Sequence, residues 1–158
     1  MRVTLIRHAE AGDDAPRDES RSLTVRGRAD ARRVGRALAR RGVRFSLMLS
    51  SPLVRAVQTA EIVAAALDFR GRLLATDLLV PEAQPSQMVA FLASLGEEKS
   101  VALVAHEPIL SALAAALIHR PEYPALRKAE ALRIRLPGGR GKGTLRWRVD
   151  PSGHRERL

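Results

Sequence analysis

Two histidines and two arginines occupy positions from which a phosphoryl group could be gripped and attacked. Arg7-His8 follows the β-branched run at 2–6. Arg55 lies just beyond the apolar run at 45–50, in Ser50-Ser51-Pro52-Leu53-Val54-Arg55, and His106 follows the apolar run at 101–105. A neutral imidazole can attack phosphorus, and a covalent phosphohistidine splits one displacement into two. Arginine forks bind phosphate oxygens in pairs and stay charged at every relevant pH. They also stabilise the charge spread over the equatorial oxygens of a transferring group. A second imidazole can donate a further hydrogen bond to a phosphoryl oxygen, and a helix starting after His106 could aim backbone N–H groups at the anion.

These groups meet only if the elements that precede them lie side by side. The runs at 2–6, 45–50 and 101–105 read as buried strands. Val25 to Arg41 reads as a helix with one buried side, carrying Val25, Ala29, Ala31, Val34, Ala37 and Leu38, with Thr24 as N-cap and Gly42 as stop. Pro52 suits the first turn of a second helix reaching about Leu67. Ser86 is expected to cap a third helix over 87–95, closed by Gly96, and a fourth covers 108–118. Residues 9–22 read as a polar loop, and 73–81 as extended or irregular chain.

The tail carries two alternating runs, Leu132, Ile134, Leu136 and Leu145, Trp147, Val149, each interleaved with arginines. The glycine-rich stretch between them predicts a hairpin. Keeping both apolar sets on one face pairs Ile134 with Trp147 and Arg135 with Arg146, which sets arginine against arginine unless both are solvated or meet an anion. The order of elements implies an α/β three-layer sandwich, with a mostly parallel central sheet, helices on both faces and the C-terminal hairpin at its edge. In such sheets ligands bind beyond the carboxyl ends of the strands, where Arg7, His8, Arg55 and His106 fall. No repeat or composition break divides 1–158, so a single domain is expected.

Composition narrows the chemistry. A chain of 158 residues, 46% hydrophobic and 28% charged, can bury a core, and with only 3% aromatics that core must be aliphatic. No apolar run is long enough for a transmembrane helix. The first apolar stretch is too short, and too soon followed by charge, for an export signal, so a cytoplasmic location is expected. The absence of cysteine excludes disulfides, cysteine metal sites and cysteine-nucleophile phosphatases. The net charge of +10 suits acidic partners such as phosphorylated substrates, phosphoproteins or nucleic acid. The excess of arginine over lysine can equally reflect genome composition.

Leu5-Ile6-Arg7-His8-Ala9-Glu10-Ala11 resembles the Arg-His-Gly motif of the histidine phosphatase superfamily, which includes the cofactor-dependent phosphoglycerate mutases. Ser51-Pro52-Leu53-Val54-Arg55-Ala56-Val57-Gln58-Thr59-Ala60 looks like its second motif, and Val104-Ala105-His106-Glu107-Pro108 like its third. Arg21-Ser22-Leu23-Thr24-Val25-Arg26-Gly27, with the short length, is similar to the SixA-type phosphohistidine phosphatases. The resemblance runs from residue 3 to about 150. It implies His8 as nucleophile, a phosphate pocket of Arg7, Arg55 and His106, and Arg21 as a further phosphate contact. Ala9 stands where the family has glycine, so the backbone there must accept a Cβ. The stretch 80–86 lacks the longer acid-bearing insert of mutases and broad phosphatases. No well-matched general acid is visible, and Glu82 is the one candidate nearby in sequence. An alkoxide leaving group needs a proton, and general-acid help is worth roughly 10²–10⁴-fold. Imidazole leaves far more readily. A pocket without the insert is also open to a protein-borne phosphohistidine.

Other features read as ordinary. His119 and His154 lack any motif context. Arg28, Arg32, Arg36 and Arg40 recur at helical spacing, as a solvated helix face does. Nucleic-acid binding would add aromatic stacking, and Tyr123 and Trp147 are too few and too separated. The 138–144 loop fails as a nucleotide-binding loop, because its lysine precedes glycine and a strand follows. His106-Glu107 lacks the second histidine of a zinc motif. The expectation is a metal-independent phosphatase without cofactor, acting on phosphohistidine, with a phosphorylated protein or a small phosphorylated substrate as partner and neither membrane nor nucleic acid. The alternatives are a small-molecule phosphomonoesterase with the same pocket and a non-catalytic phosphate- or phosphoprotein-binding module. Nucleic-acid binding, suggested by charge alone, is the remaining contrast.

Overall fold

Period-2 alternation sends the side chains of the first strand to opposite faces of a sheet, and both faces are covered. The computed structural model describes residues 1–96, 99–137 and 141–158. In it β1 (Arg2–Arg7), β2 (Leu47–Ser50), β3 (Arg72–Ala75) and β4 (Ser100–Ala105) run parallel. Next come β5 (Ala131–Arg135), β6 (Thr144–Val149) and β7 (Arg155–Arg157), which extend the sheet antiparallel beyond β1. The strand order is β3-β2-β4-β1-β5-β6-β7.

Two helices cover each face. α1 (Val25–Arg40) and α2 (Val54–Ala66) pack Val34, Leu38, Ala60 and Val63 against Ile6, Met48 and Val104. On the other face α3 (Pro85–Ser94) and α4 (Ile109–Leu117) pack Met88, Leu92, Leu110 and Leu113 against Val3, Leu5 and Leu103. Every residue of β4 is buried, as a central parallel strand between two helical layers requires. The registers Arg7 to Ala105 and Ser50 to Val104 bring the ends of β1, β2 and β4 level. His8, Ser51 and His106 therefore emerge side by side. Among the described residues no helix is long and apolar enough to cross a membrane.

Thr24 caps α1 as expected, its Oγ1 accepting from Gly27 N at 2.9 Å, and Gly42 takes a φ of +65° just past the end. Other boundaries differ from expectation. Pro52 lies ahead of α2, whose N-cap is Leu53. Ser86 does not cap α3; Pro85 is its first residue, where the missing N–H is harmless. The 73–81 segment overlaps the outermost parallel strand, β3, whose largely exposed position blurs its pattern.

The tail corrects the expected register. A register shift between Arg133 and Ile134 sets Arg133 opposite Trp147, Ile134 opposite Leu145 and Arg135 opposite Thr144. Neither Ile134–Trp147 nor Arg135–Arg146 forms, so no arginine faces arginine there. The glycine-rich turn includes residues 138–140, which lie outside the described residues. Arg133 is buried instead of solvated. Its Nη1 donates to Thr4 Oγ1 at 2.8 Å and its Nη2 to Ser100 Oγ at 3.2 Å. Its guanidinium lies 5.8 Å from the Trp147 ring centroid, and Arg155 lies 5.6 Å from the same ring. Hydroxyls and a π-face thus replace the water that a buried cation loses.

Candidate active site

His8 leaves β1 with its backbone still in the ladder, its N–H donating to Ala105 O at 2.9 Å. Its Nδ1 sits 2.7 Å from Ala9 O. A carbonyl only accepts, so Nδ1 carries the proton and Nε2 keeps the lone pair. The ring is 5.0 Å from that of His106, centroid to centroid, tilted by 53°. His106 Nε2 meets Ser51 Oγ at 2.8 Å, and its Nδ1 is buried without a partner.

Both imidazoles are held neutral. Burial, reinforced by the Arg55 and Arg7 cations, pushes His8 down from 6.5 to about 4 against the opposing pull of the Ala9 carbonyl. Burial again leads for His106, followed by repulsion from His8 once that ring is protonated and from Arg55, pushing it to about 3. The folded state therefore refuses protons that the unfolded chain accepts. Stability is full above about pH 6.5 and falls as pH drops toward the folded values, by on the order of 3 kcal/mol from His8 alone. Thermal melts between pH 7 and 4 should show this decline, and His8→Asn should make it shallower, leaving the His106 share. An equally steep profile in that variant would assign the decline to other groups.

The arginines are oriented from outside the pocket. Arg7 Nη1 donates to Leu126 O at 2.6 Å, while its Nε is buried and unpartnered. The Leu126 carbonyl is placed in turn by Glu107, whose Oε1 accepts from Leu126 N at 2.8 Å. Arg55 is buried; its Nη1 donates to the Asp18 carbonyl at 2.7 Å and its Nη2 to Asp18 Oδ2 at 2.9 Å. Arg21 reaches Asp18 Oδ1 at 3.0 Å, Gly12 O at 2.7 Å and Asp13 Oδ1 at 2.6 Å. Arg21 thus meets Arg55 through a shared carboxylate. Glu82 is exposed in the turn after the short 3-10 helix Asp77–Leu79, and no hydrogen bond or ion pair among the described residues joins it to this group.

The start of α4 differs from expectation. Leu110 N donates to His106 O and Ser111 N to Glu107 Oε2, so two of its leading N–H groups have partners inside the chain. Ala9 fits its glycine position without strain. It is fully buried, its φ is not positive, and its N–H donates to Thr59 Oγ1 at 3.1 Å. Thr59 Oγ1 also donates to Arg55 O at 2.7 Å, so one hydroxyl joins the two motifs. Gln58 Oε1 accepts from Leu23 N at 2.8 Å and holds the returning end of the 9–22 loop. Ser51, Thr59, Gln58, Asp18 and Glu107 were not expected as site residues. For Thr59 a signal exists, a hydroxyl four residues after Arg55 on the same helical face. For Asp18, one acid among several in a polar loop, none does. His119 and His154 are exposed, as are Arg28, Arg32, Arg36 and Arg40 on α1.

With this geometry in view, the comparisons are specific. Residues 3–77 match the model of the histidine phosphatase superfamily, branch 1. The Escherichia coli K12 phosphohistidine phosphatase SixA is 29% identical over 153 residues, 96% of this chain and 94% of that protein. A structure of the protein histidine phosphatase SixA complexed with tungstate superposes with a TM-score of 0.90 at 29% identity, covering 96% of this chain and 97% of the other. A SixA structure from Agrobacterium tumefaciens matches with a TM-score of 0.75 at 29% identity, over 85% of this chain and 90% of that one.

Proposed function

The chain belongs to the histidine phosphatase superfamily, and on that premise we propose that it hydrolyses phosphohistidine carried on a protein, through a phosphorylated His8. The observation that carries the reading is the contact of His8 Nδ1 with Ala9 O, which fixes the tautomer. Nδ1–H is committed to Ala9 O, which leaves the Nε2 lone pair for phosphorus.

In the first step Nε2 forms a bond to phosphorus as the P–N bond of the substrate breaks. The departing imidazole keeps that electron pair and takes a proton from solvent. In the second, water attacks the phosphorus of phospho-His8, its proton passes to solvent, orthophosphate leaves and Nε2 recovers its lone pair. Arg7, Arg55 and His106 hold the phosphoryl oxygens through both displacements. Two fixed cations meet the dianion at every working pH, and the low proton affinity of His8 keeps the nucleophile free.

The leaving group decides the substrate class. No carboxylate among the described residues is hydrogen-bonded to His8 or His106. Asp18, bound to Arg21 and Arg55, is held below the usual carboxylate range and stays ionised, so it has no proton to give. Alkyl phosphates need that proton from a placed acid, whereas the imidazole of phosphohistidine can take its proton from solvent. A panel of a phosphohistidine protein, sugar phosphates and nucleotides tests this. The first should be turned over with kcat/KM higher by roughly 10²-fold or more. Sugar phosphates hydrolysed faster would overturn the reading. The proposal carries with it a cytoplasmic location, which fractionation of the host cell checks.

A further inference from the structure

Asp18 has no part in the steps above, yet it touches two of the arginines. It opens a 3-10 turn, Asp18–Ser20, in the long loop between β1 and α1, with a side chain 58% exposed. Its contacts are specific for so exposed a residue. The carbonyl and one carboxylate oxygen accept from the two Nη atoms of Arg55, and the other carboxylate oxygen accepts from Arg21 Nη1. Arg21 in turn takes Gly12 O with Nε and Asp13 with Nη2, so three of its nitrogens tie down the loop that carries Asp18.

Arg55 is therefore held end-on. Both Nη atoms each use a proton on Asp18, whereas Nε makes no hydrogen bond among the described residues. A guanidinium has five donors in a rigid plane, so fixing its far end fixes the direction of the Nε edge. The two acceptors are also unequal. The backbone carbonyl positions one Nη, and the carboxylate stops rotation about that single bond and adds charge.

We infer that Asp18 is a positioning residue, whose carboxylate, braced by Arg21, locks the Arg55 guanidinium so that its remaining edge faces the phosphoryl group. Arg21 then acts through Asp18 and not by touching phosphate. This inference rests on the proposed phosphatase reading. The opposite role is also chemically possible, with the carboxylate occupying the place of phosphate oxygens and displaced by substrate. The two differ in sign.

The test uses the intact protein with Asp18→Ala, Asp18→Asn and Arg21→Ala, assayed for phosphohistidine hydrolysis and for inhibition by orthovanadate. Positioning predicts that Asp18→Ala lowers kcat by about 10- to 100-fold and weakens orthovanadate. Asp18→Asn, which keeps an acceptor oxygen, should recover part of the loss, and Arg21→Ala should move both readouts as Asp18→Ala does. Because Asp18 is itself exposed and its backbone carbonyl still accepts from the buried Arg55 in every variant, the melting temperature should barely change. In an Arg55→Lys background, whose ammonium cannot span both acceptors, Asp18→Ala should add no more than about twofold. Tighter orthovanadate binding in Asp18→Ala would overturn the inference in favour of a displaced plug. Losses that multiply in full on the Arg55→Lys background would overturn it in favour of a merely structural loop. If the unaltered protein leaves phosphohistidine intact, the phosphatase reading fails, and the sign of the orthovanadate change alone decides the role of Asp18.

Discussion

Replacing His8 with alanine will lower phosphohistidine turnover by roughly 10⁴-fold or more, while the fold survives. The size follows from losing the atom proposed to make the new bond. In the proposed mechanism Arg7, Arg55 and His106 would still bind the phosphoryl group, but water would have to attack a phosphoramidate with no positioned base. Orthovanadate binding should weaken far less than kcat, because the cations remain. Rapid-quench experiments with radiolabelled phosphohistidine protein provide the direct check. The unaltered chain should carry acid-labile, alkali-stable label, and His8→Ala none. A variant retaining kcat within tenfold would remove His8 from the chemistry. Labelling of His106 would reassign the nucleophile.

The second large effect is at Gly27, in the first turn of α1. A Cβ there would collide with the Glu10 carbonyl oxygen, and the three nearest atoms are all Glu10 backbone. Neither side can yield cheaply. Glu10 O accepts from Thr24 N at 3.0 Å, and Gly27 N donates to Thr24 Oγ1 at 2.9 Å, so helix start and loop share one bonding set. Gly27→Ala should therefore destabilise the protein near the upper end of overpacking changes, about 3 kcal/mol, or roughly 10 °C in melting temperature for a chain of this size. Activity should fall too, since the displaced backbone lies two residues beyond His8. Scanning calorimetry and kcat on the same sample check both. A melting temperature within about 2 °C of the original would mean that the helix slides without resistance.

Much of this was legible from residue types. Strand ends are readable when a buried apolar run stops abruptly at a polar or charged residue, as at Arg7-His8 and at His106. The parallel arrangement then gathers them without further information. The corrections share a physical cause. β3 lies at the sheet edge, largely exposed, so burial imposes no clean alternation on it. The β5–β6 register depends on a backbone irregularity that side-chain pattern does not encode. Arg133 follows from it, since a buried arginine in an alternating run looks the same as a solvated one until its partners Thr4 and Ser100 are placed. The supports around the site were hidden for a different reason. Asp18, Glu107 and Ser51 work through contacts spanning 19 to 55 residues of chain. Each is an unremarkable polar residue in its own neighbourhood.

The arginine-flanked Trp147 has a practical consequence. It is the sole tryptophan of the chain, and it is buried in the antiparallel half of the sheet with two cations close to its ring. Intrinsic fluorescence excited at the indole band therefore reports on the seam between β5, β6 and α1, and not on the phosphate pocket. Ligand titrations followed by tryptophan emission should be silent even where binding is tight. Denaturant titrations followed the same way should register the loss of the C-terminal strands. If those strands detach before the parallel half melts, emission and circular dichroism will give two midpoints, and the optical probe will have separated two parts of one sheet.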